Sequence, residues 1–175
     1  RSSSELSQNV AKYLFKLMTN TCKKQKITSV NKTRKNYANL KGVAVLIPNK
    51  TNVNGNVIFK QYSKGIKIIY DINNLSDGKH GFHIHEYGDL TDSCSSACSH
   101  FNPDHETHGG LNTKVRHAGD LGNIISKDGK AKGTMFAKKL TLSPGKYSIL
   151  GRMIIVHEDE DDLGCLLYTS PSPRD

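Results

Sequence analysis

The stretch Gly81-Phe-His83-Ile-His85-Glu-Tyr-Gly88 carries two histidines two residues apart in a segment with the pattern of a β-strand. Side chains alternate between the two faces of a strand, so His83 and His85 leave from the same face, about 7 Å apart at their roots. Two imidazoles on one strand face can bind one metal ion. The alternative is a strand with two half-exposed histidines that bind no metal. The positions of the other histidines decide between these two interpretations.

Further candidate metal donors follow this strand along the chain: His100, His108, His117, Asp120 and His157. Imidazole nitrogen suits copper, zinc, iron and nickel, whereas magnesium and calcium prefer oxygen ligands. Together with the pair on the strand there are seven donors, which is too many for one tetrahedral zinc site. The sequence therefore predicts two transition-metal sites.

From Lys41 onward apolar and polar residues alternate with a period of two, which is typical of strands. Short strands are predicted at 43–47, 57–59, 66–70, 81–87, 121–126, 132–137 and 148–156. Asp128-Gly129 predicts a hairpin turn, and the long connection 89–119 needs a metal or a disulfide to organise it. Because helical patterns are scarce, we predict an all-β architecture.

Five motifs resemble those of the copper/zinc superoxide dismutases in order and separation: GFHIHEYGD (81–89), HFNP (100–103), HGG (108–110), RHAGDLGN (116–123) and GRMIIVHEDEDDLG (151–164). The resemblance covers residues 41–164. It implies a Greek-key β-sandwich or flattened barrel. It also implies an enzyme that converts superoxide to dioxygen and hydrogen peroxide, at a copper site joined by an imidazolate to a structural zinc site.

The resemblance also implies which residues hold the metals. The copper ligands would be His83, His85, His100 and His157. The zinc ligands would be His100, His108, His117 and Asp120, with a deprotonated, catalytic His100 shared by both metals. Asp161 matches the carboxylate that links a copper histidine to a zinc histidine and fixes their orientation. His80 matches a structural histidine, and His105 is expected to be a solvated loop residue.

The net charge of +9 is unevenly distributed. Residues 1–40 hold nine Lys/Arg and one acid, which leaves 25 − 9 = 16 basic and 16 − 1 = 15 acidic residues in 41–175. We therefore predict a disordered basic leader at 1–40, a nearly neutral domain and no nucleic-acid partner. No apolar stretch of about 18 residues occurs, so no membrane partner is predicted. A cytoplasmic location is favoured, with an extracellular or organellar one open because the N-terminus looks incomplete.

The four cysteines are Cys22, Cys94, Cys98 and Cys165, and they form no CxxC pair. This pattern argues against a zinc ribbon or a thioredoxin-type site. By resemblance Cys94 is the family's disulfide cysteine, whose partner lies beyond the point where the resemblance ends. Cys98 is expected to be an idle thiol.

The resemblance ends at Gly164, and the segment 165–175 is predicted to be a non-native or divergent tail. The domain at 41–164 is then incomplete and lacks the family's final strand and active-site arginine. Asp159 also stands where many family members carry a lysine, which weakens attraction for a small anion; superoxide dismutases are themselves a standard case of such steering.

Two other functions remain open: a superoxide-dismutase-like copper chaperone, and a non-catalytic domain that zinc merely orders. The chaperone is disfavoured because all copper ligands are retained and the leader has no thiol metal motif. For the intact protein the resemblance implies superoxide as substrate, a homodimer, and a copper chaperone as partner.

Overall fold

The computed structural model describes residues 12–16, 39–47, 51–89, 91 and 95–164. This part of the chain folds into strands β1 (Lys12–Lys16), β2 (Lys41–Ile47), β3 (Asn54–Tyr62), β4 (Gly65–Asn73), β5 (Gly78–His85), β6 (Asp120–Ser126), β7 (Lys130–Ala137) and β8 (Met153–Val156). A single turn of 3₁₀ helix spans Ser95–Ala97. The predicted all-β architecture is confirmed.

The strands form two antiparallel sheets, with strand orders β1-β2-β3-β4-β7 and β6-β5-β8. β7 lies beside β4 although β5 and β6, which come between them in sequence, belong to the other sheet. A strand that returns over a long connection to pair with an earlier one is the mark of a Greek key. The predicted Greek-key β-sandwich is therefore also confirmed.

The core lies between the two sheets and contains Phe59, Ile66, Ile68, Phe82 and Leu121, all fully or almost fully buried. β3 shows why these residues form a strand, because its buried positions Val57 and Phe59 alternate with more exposed neighbours. Burial of each large apolar side chain contributes roughly 1.5–3 kcal/mol. This alternation commits one face of each sheet to the core.

Two tight turns connect strands that follow each other along the chain. β3 and β4 pair from Tyr62 with Gly65, so that only two residues connect them. Between β6 and β7, Asp128 and Gly129 have φ values of 53° and 75°. A two-residue turn with positive φ at both positions matches the right-handed twist of the flanking strands. The predicted Asp-Gly turn is present, but the strands it connects belong to different sheets and are joined only by the bridge between Lys127 and Lys130.

Most predicted strands are present with bounds shifted by a few residues, and the largest departures are at the two ends of the described chain. β1 lies within 1–40, yet it pairs antiparallel with β2, from Lys12 with Ile47 to Lys16 with Val43. For these five residues the prediction of a disordered leader is wrong, because the edge of β2 offers backbone groups that a further strand can satisfy. The last strand begins at Met153 and not at Ser148, since Gly151 at φ 73° interrupts the extended chain.

Three predictions concern residues outside those described: the divergent tail at 165–175, the absence of the family's final strand, and the states of Cys94 and Cys165. Among those that are described, no helix has the length and apolar character needed to cross a membrane.

Candidate metal centre

β5 is the central strand of the smaller sheet and is covered on both faces. Phe82 and Ile84 belong to the core, while His83 and His85 alternate with them and are also buried. The two histidines therefore lie on one face of β5, as their spacing predicted. A register shift between Gly81 and His83 on the side of β6 makes this strand irregular just where the histidines begin.

Backbone pairing brings two more histidines to this face. His100 forms an isolated bridge with His85, and the N–H of Phe101 donates to the carbonyl of Ile84 at 2.8 Å. β8 pairs with β5 on the other side, and the N–H of His157 donates to the carbonyl of Gly81 at 2.8 Å. Both residues therefore flank β5 because hydrogen bonds to its backbone hold them there.

The first donor group consists of His83, His85, His100 and His157, whose ligand atoms lie within 4.8 Å of one another. Nε2 of His83 lies 3.0 Å from Oδ2 of Asp161, and Nδ1 of His85 lies 2.7 Å from the carbonyl oxygen of Cys98. The opposite ring atoms, Nδ1 of His83 and Nε2 of His85, are buried without a hydrogen-bond partner. A ring that donates on one side presents a lone pair on the other, which is the form that binds metal.

The second donor group consists of His100, His108, His117 and Asp120. The Nδ1 atoms of its three histidines lie 2.9, 3.1 and 3.2 Å from the same oxygen, Oδ1 of Asp120. Donors about 2.0–2.1 Å from a tetrahedral zinc ion are separated by about 3.3 Å. The spacing within this group therefore fits a zinc ion.

Asp120 is fully buried and its second oxygen is also occupied. Oδ2 accepts the backbone N–H groups of Gly109 at 3.0 Å and of His117 at 2.8 Å. Although burial raises the pKa of this carboxyl, its hydrogen bonds with the three histidines outweigh that effect and hold the pKa well below its usual range. The carboxyl group of Asp120 is therefore ionised, and backbone N–H groups of the preceding loop hold it in place.

Asp161 joins the two groups. Its carboxylate lies 3.0 Å from Nε2 of His83 and 2.6 Å from Nε2 of His108. Burial raises the pKa of Asp161, but the hydrogen bonds to these two rings outweigh it and lower the pKa. One carboxylate thus orients a histidine from each donor group.

The sequence analysis missed two residues that support the site. Asn123 exchanges two hydrogen bonds with the backbone of Asp161, at 2.8 and 2.7 Å. Arg116 is buried and donates to the carbonyl oxygens of His117 at 2.8 Å and Asp120 at 3.0 Å, while burial lowers the pKa of its guanidinium. Both belong to the motif RHAGDLGN, so their position in this motif could have identified them from the sequence.

The remaining predicted residues lie around the donor groups. His80 is buried, with ring nitrogens 2.9 Å from the carbonyl oxygen of His157 and 2.8 Å from that of Ser76. His105 is exposed and belongs to neither donor group. Cys98 has a free, exposed thiol, and it contributes to the site through its backbone carbonyl alone.

In protein from which metal has been removed with a chelator, stability is expected to peak near pH 6.5. Burial lowers the pKa of His83 and His85 from 6.5 to about 3. Between these values the unfolded chain binds more protons than the folded one, so stability falls as the pH drops from 6.5 toward 3.

Stability should also fall above the peak. Burial lowers the pKa of His108, but hydrogen bonds with Asp120 and Asp161 outweigh it and raise the pKa to about 10. Between pH 6.5 and 10 the folded chain therefore binds a proton on His108 that the unfolded chain does not. The stability that this proton contributes is lost as the pH rises through that range. Denaturant unfolding at about pH 4.5, 6.5 and 9 tests both limbs, and stability that rises steadily to pH 9 would contradict the second.

A β-sandwich that gathers six histidines and one carboxylate into two donor groups with a shared His100 defines a dinuclear transition-metal protein. The family model described as copper/zinc superoxide dismutase matches residues 53–173. This chain belongs to the copper/zinc superoxide dismutase family. Copper and zinc are the metals of that family, and the donor sets fit both.

Individual relatives agree with the family model. A Cu-Zn superoxide dismutase of Paramecium bursaria Chlorella virus 1 is 54% identical over 114 residues, 64% of this chain and 60% of the relative. An extracellular Cu-Zn superoxide dismutase of Brugia pahangi is 46% identical over 123 residues, 70% of this chain and 61% of the relative. The crystal structure of the clock protein EA4 has a TM-score of 0.69 at 37% identity, over 77% of this chain and 83% of that one.

The matches cover only part of the relatives, and the family match ends later in the chain than the resemblance described above. The chain spans about 60% of the length of the two relatives. The family match also continues beyond Gly164 to residue 173, although the segment 165–175 was predicted to be a non-native or divergent tail. Because residues 165–175 lie outside those described, that assignment stays a prediction.

Proposed function

We propose that the protein to which this chain belongs converts superoxide to dioxygen and hydrogen peroxide. The observation that carries the proposal is the membership of His100 in both donor groups. Its Nδ1 atom lies 2.9 Å from Asp120, so Nε2, on the opposite side of the ring, is the atom left for the other group. A single imidazole can then serve two metals at once.

The proposed copper ligands are His83, His85, His100 and His157, and the proposed zinc ligands are His100, His108, His117 and Asp120. The first group consists of imidazoles alone, which suit a copper ion in both of its oxidation states. The second adds a carboxylate, which is a common ligand of zinc. Asp161 fixes the rings of His83 and His108, and thereby selects the nitrogen that each turns toward its metal.

Copper, when bound, supplies the one-electron exchange that superoxide dismutation requires. While its Nε2 atom is not bound to a metal, His100 can hold a proton there and give it to the reduced oxygen product. The carboxylate of Asp120 keeps the Nδ1 side of the same ring occupied, so the proton is confined to the side that faces the copper ligands. The burial of His83 and His85 keeps other protons away from the donor nitrogens, which have a pKa of about 3.

The test is superoxide consumption by protein loaded with copper and zinc, alongside its metal content. His85→Ala should lose copper and turnover. The matched control is His105→Asn, because His105 belongs to neither donor group and Asn tolerates its φ of 56°. Zinc binding without turnover would favour a non-catalytic zinc-ordered domain. Copper that passes to an acceptor without turnover would favour a chaperone.

Asp159→Lys is expected to raise the rate of superoxide consumption at low ionic strength by several-fold. The residue is exposed in the segment after His157, where a negative charge repels an anionic substrate; superoxide dismutases are a standard case of this effect. The gain should shrink as salt is added, because screening shortens the reach of surface charge. Asp71→Lys makes the same change of charge on the larger sheet and serves as control. Equal gains in both variants would contradict a local effect.

For the whole protein we further propose a homodimer that receives copper from a chaperone, with residues 41–164 as the metal-binding domain and the leader outside it except for β1. Sedimentation and metal-transfer assays test these partners. A relative described as extracellular shows that the family occurs outside cells, and a cytoplasmic location stays a prediction. The loss of a disulfide partner for Cys94 also stays a prediction, tested by thiol labelling.

A further inference from the structure

The larger sheet has an outer face that points away from the core. On this face one row of residues crosses four neighbouring strands, since Lys41 pairs with Lys60, Lys60 with Lys67, and Lys67 with Phe136. We call Lys41, Lys60 and Lys67 the lysine row. Neighbouring strands lie about 4.8 Å apart, so the three side chains leave the sheet within about 10 Å of one another.

The positive charge of the lysine row is not neutralised by ion pairs with any residue that the structure describes. Among the described residues none of its three members takes part in a salt bridge, and the ion pair of this face joins Lys132 to Asp71, four residues along β4 from Lys67. Like charges placed directly opposite each other destabilise a sheet. The fold therefore carries three adjacent positive charges that work against its own stability and that an anionic partner would relieve.

Two aromatic side chains border the lysine row. Tyr62 is 50% exposed and Phe136 is 40% exposed, and their ring centroids lie 6.1 Å apart with an interplanar angle of 63°. Surfaces that rest on membranes combine lysines, which attract anionic headgroups, with aromatic rings that enter the boundary between headgroups and acyl chains. The outer face supplies both.

We propose that the lysine row and the Tyr62–Phe136 pair form a docking face for an anionic lipid bilayer. The face is the exposed side of a sheet, so it matches a flat partner. A single-stranded nucleic acid would stack its bases on ring faces, but these two rings are turned edge to face against each other. The donor groups of the metal centre depend on β5, β8 and the loops around them, on the other side of the core.

This proposal replaces the expectation that no membrane partner exists. That expectation relied on the absence of an apolar stretch long enough to span a bilayer, which does not bear on contact with a bilayer surface. The net charge of residues 41–175, which is +1, gave no sign of a basic face either. In the fold, the acids of the segment 158–162 lie beside the metal centre, whereas the lysine row lies on the outer face of the other sheet. A near-zero average therefore conceals a face on which three lysines have no salt bridge to the part of the chain that the structure describes.

The first test is sedimentation of the full 175-residue chain, loaded with metal, with vesicles of phosphatidylcholine containing about 30% phosphatidylserine. Lys60→Gln with Lys67→Gln should weaken binding about 30-fold, since each lysine near an anionic surface contributes about 1 kcal/mol. The control is Lys114→Gln with Lys127→Gln, which removes the same charge from the loop before β6 and from the turn after it, away from the outer face of the larger sheet. The basic residues of 1–40 contribute equally to both variants.

The second test uses fluorescence, because the chain contains no tryptophan. Phe136→Trp should shift its emission to shorter wavelength when anionic vesicles are added, since the ring leaves water. Ile125→Trp is the control, on an exposed position (66%) of β6 in the other sheet, and should not shift.

The proposal is overturned if the two double variants bind equally well, if pure phosphatidylcholine vesicles bind as tightly, or if the tryptophan at position 136 shows no shift. Retention on single-stranded DNA without vesicle binding would also overturn it and assign the face to nucleic acid. Unchanged metal content in every variant shows that the fold is intact.

Discussion

Replacement of Asp120 by alanine is expected to abolish zinc binding and to lower the free energy of unfolding by about 3–5 kcal/mol. The side chain is 0% exposed. Its Oδ1 atom is the point on which three histidine Nδ1 atoms converge, and Oδ2 accepts two backbone N–H groups. Alanine leaves those donors buried without an acceptor. Zinc content and denaturant unfolding measure the two effects.

Asp104→Ala is the matched control for Asp120→Ala. Asp104 lies on the loop that leads into β6, whose first residue is Asp120. It also accepts several hydrogen bonds, from the hydroxyl of Tyr147 at 2.8 Å and the ammonium groups of Lys139 and Lys146 at 3.0 and 2.7 Å. Its donors are surface groups that water can satisfy instead. Zinc content should stay unchanged in this variant. If both variants lose zinc equally, general loosening of the loop is the cause and the proposed ligand role fails.

Asp161→Asn is expected to lower the affinity for both metals by about 10–100-fold. The carboxylate accepts from a histidine of each donor group, His83 and His108. An amide has one acceptor oxygen, and its NH₂ group faces the N–H of one ring, so at least one histidine loses its orientation. Competition with a chelating dye measures copper and zinc affinity separately.

Asp162→Asn provides the comparison for Asp161→Asn. This neighbouring carboxylate is 3.8 Å from Nε2 of His108, with 40% of its side chain exposed, and it accepts the N–H of Gly164 instead. An amide oxygen can accept that bond as well, so little change is expected. A loss of one metal alone in Asp161→Asn would mean that the carboxylate orients one histidine, and no loss would mean that it orients neither.

Local rules predicted the parts of the fold that depend on neighbouring residues. The period-two pattern placed β3, β4, β6 and β7, and Asp128-Gly129 predicted the turn before β7, because side-chain alternation and positive φ are properties of short segments. The start of β8 was missed because Gly151 interrupts the strand. β1 was missed because its pairing with β2 depends on the edge that the folded sheet leaves open.

The support of the metal centre was harder to predict than its donors. His83 and His85 were identifiable because their spacing alone puts both on one face. Asn123 and Arg116 act through backbone atoms, of Asp161 and of residues 117–120. Such bonds have no characteristic residue spacing, so only the folded loops reveal which carbonyl or amide each side chain meets.

By itself the sequence determined the donor chemistry, the strand periodicity and the all-β class, since these follow from residue type and local spacing. The tertiary structure decided how residues up to 78 positions apart, such as His83 and Asp161, converge on adjacent points. It also decided the distribution of charge, because cross-strand register placed three lysines side by side while the total for the domain stayed near zero. Both outcomes depend on strand pairing between distant segments, which local patterns do not encode.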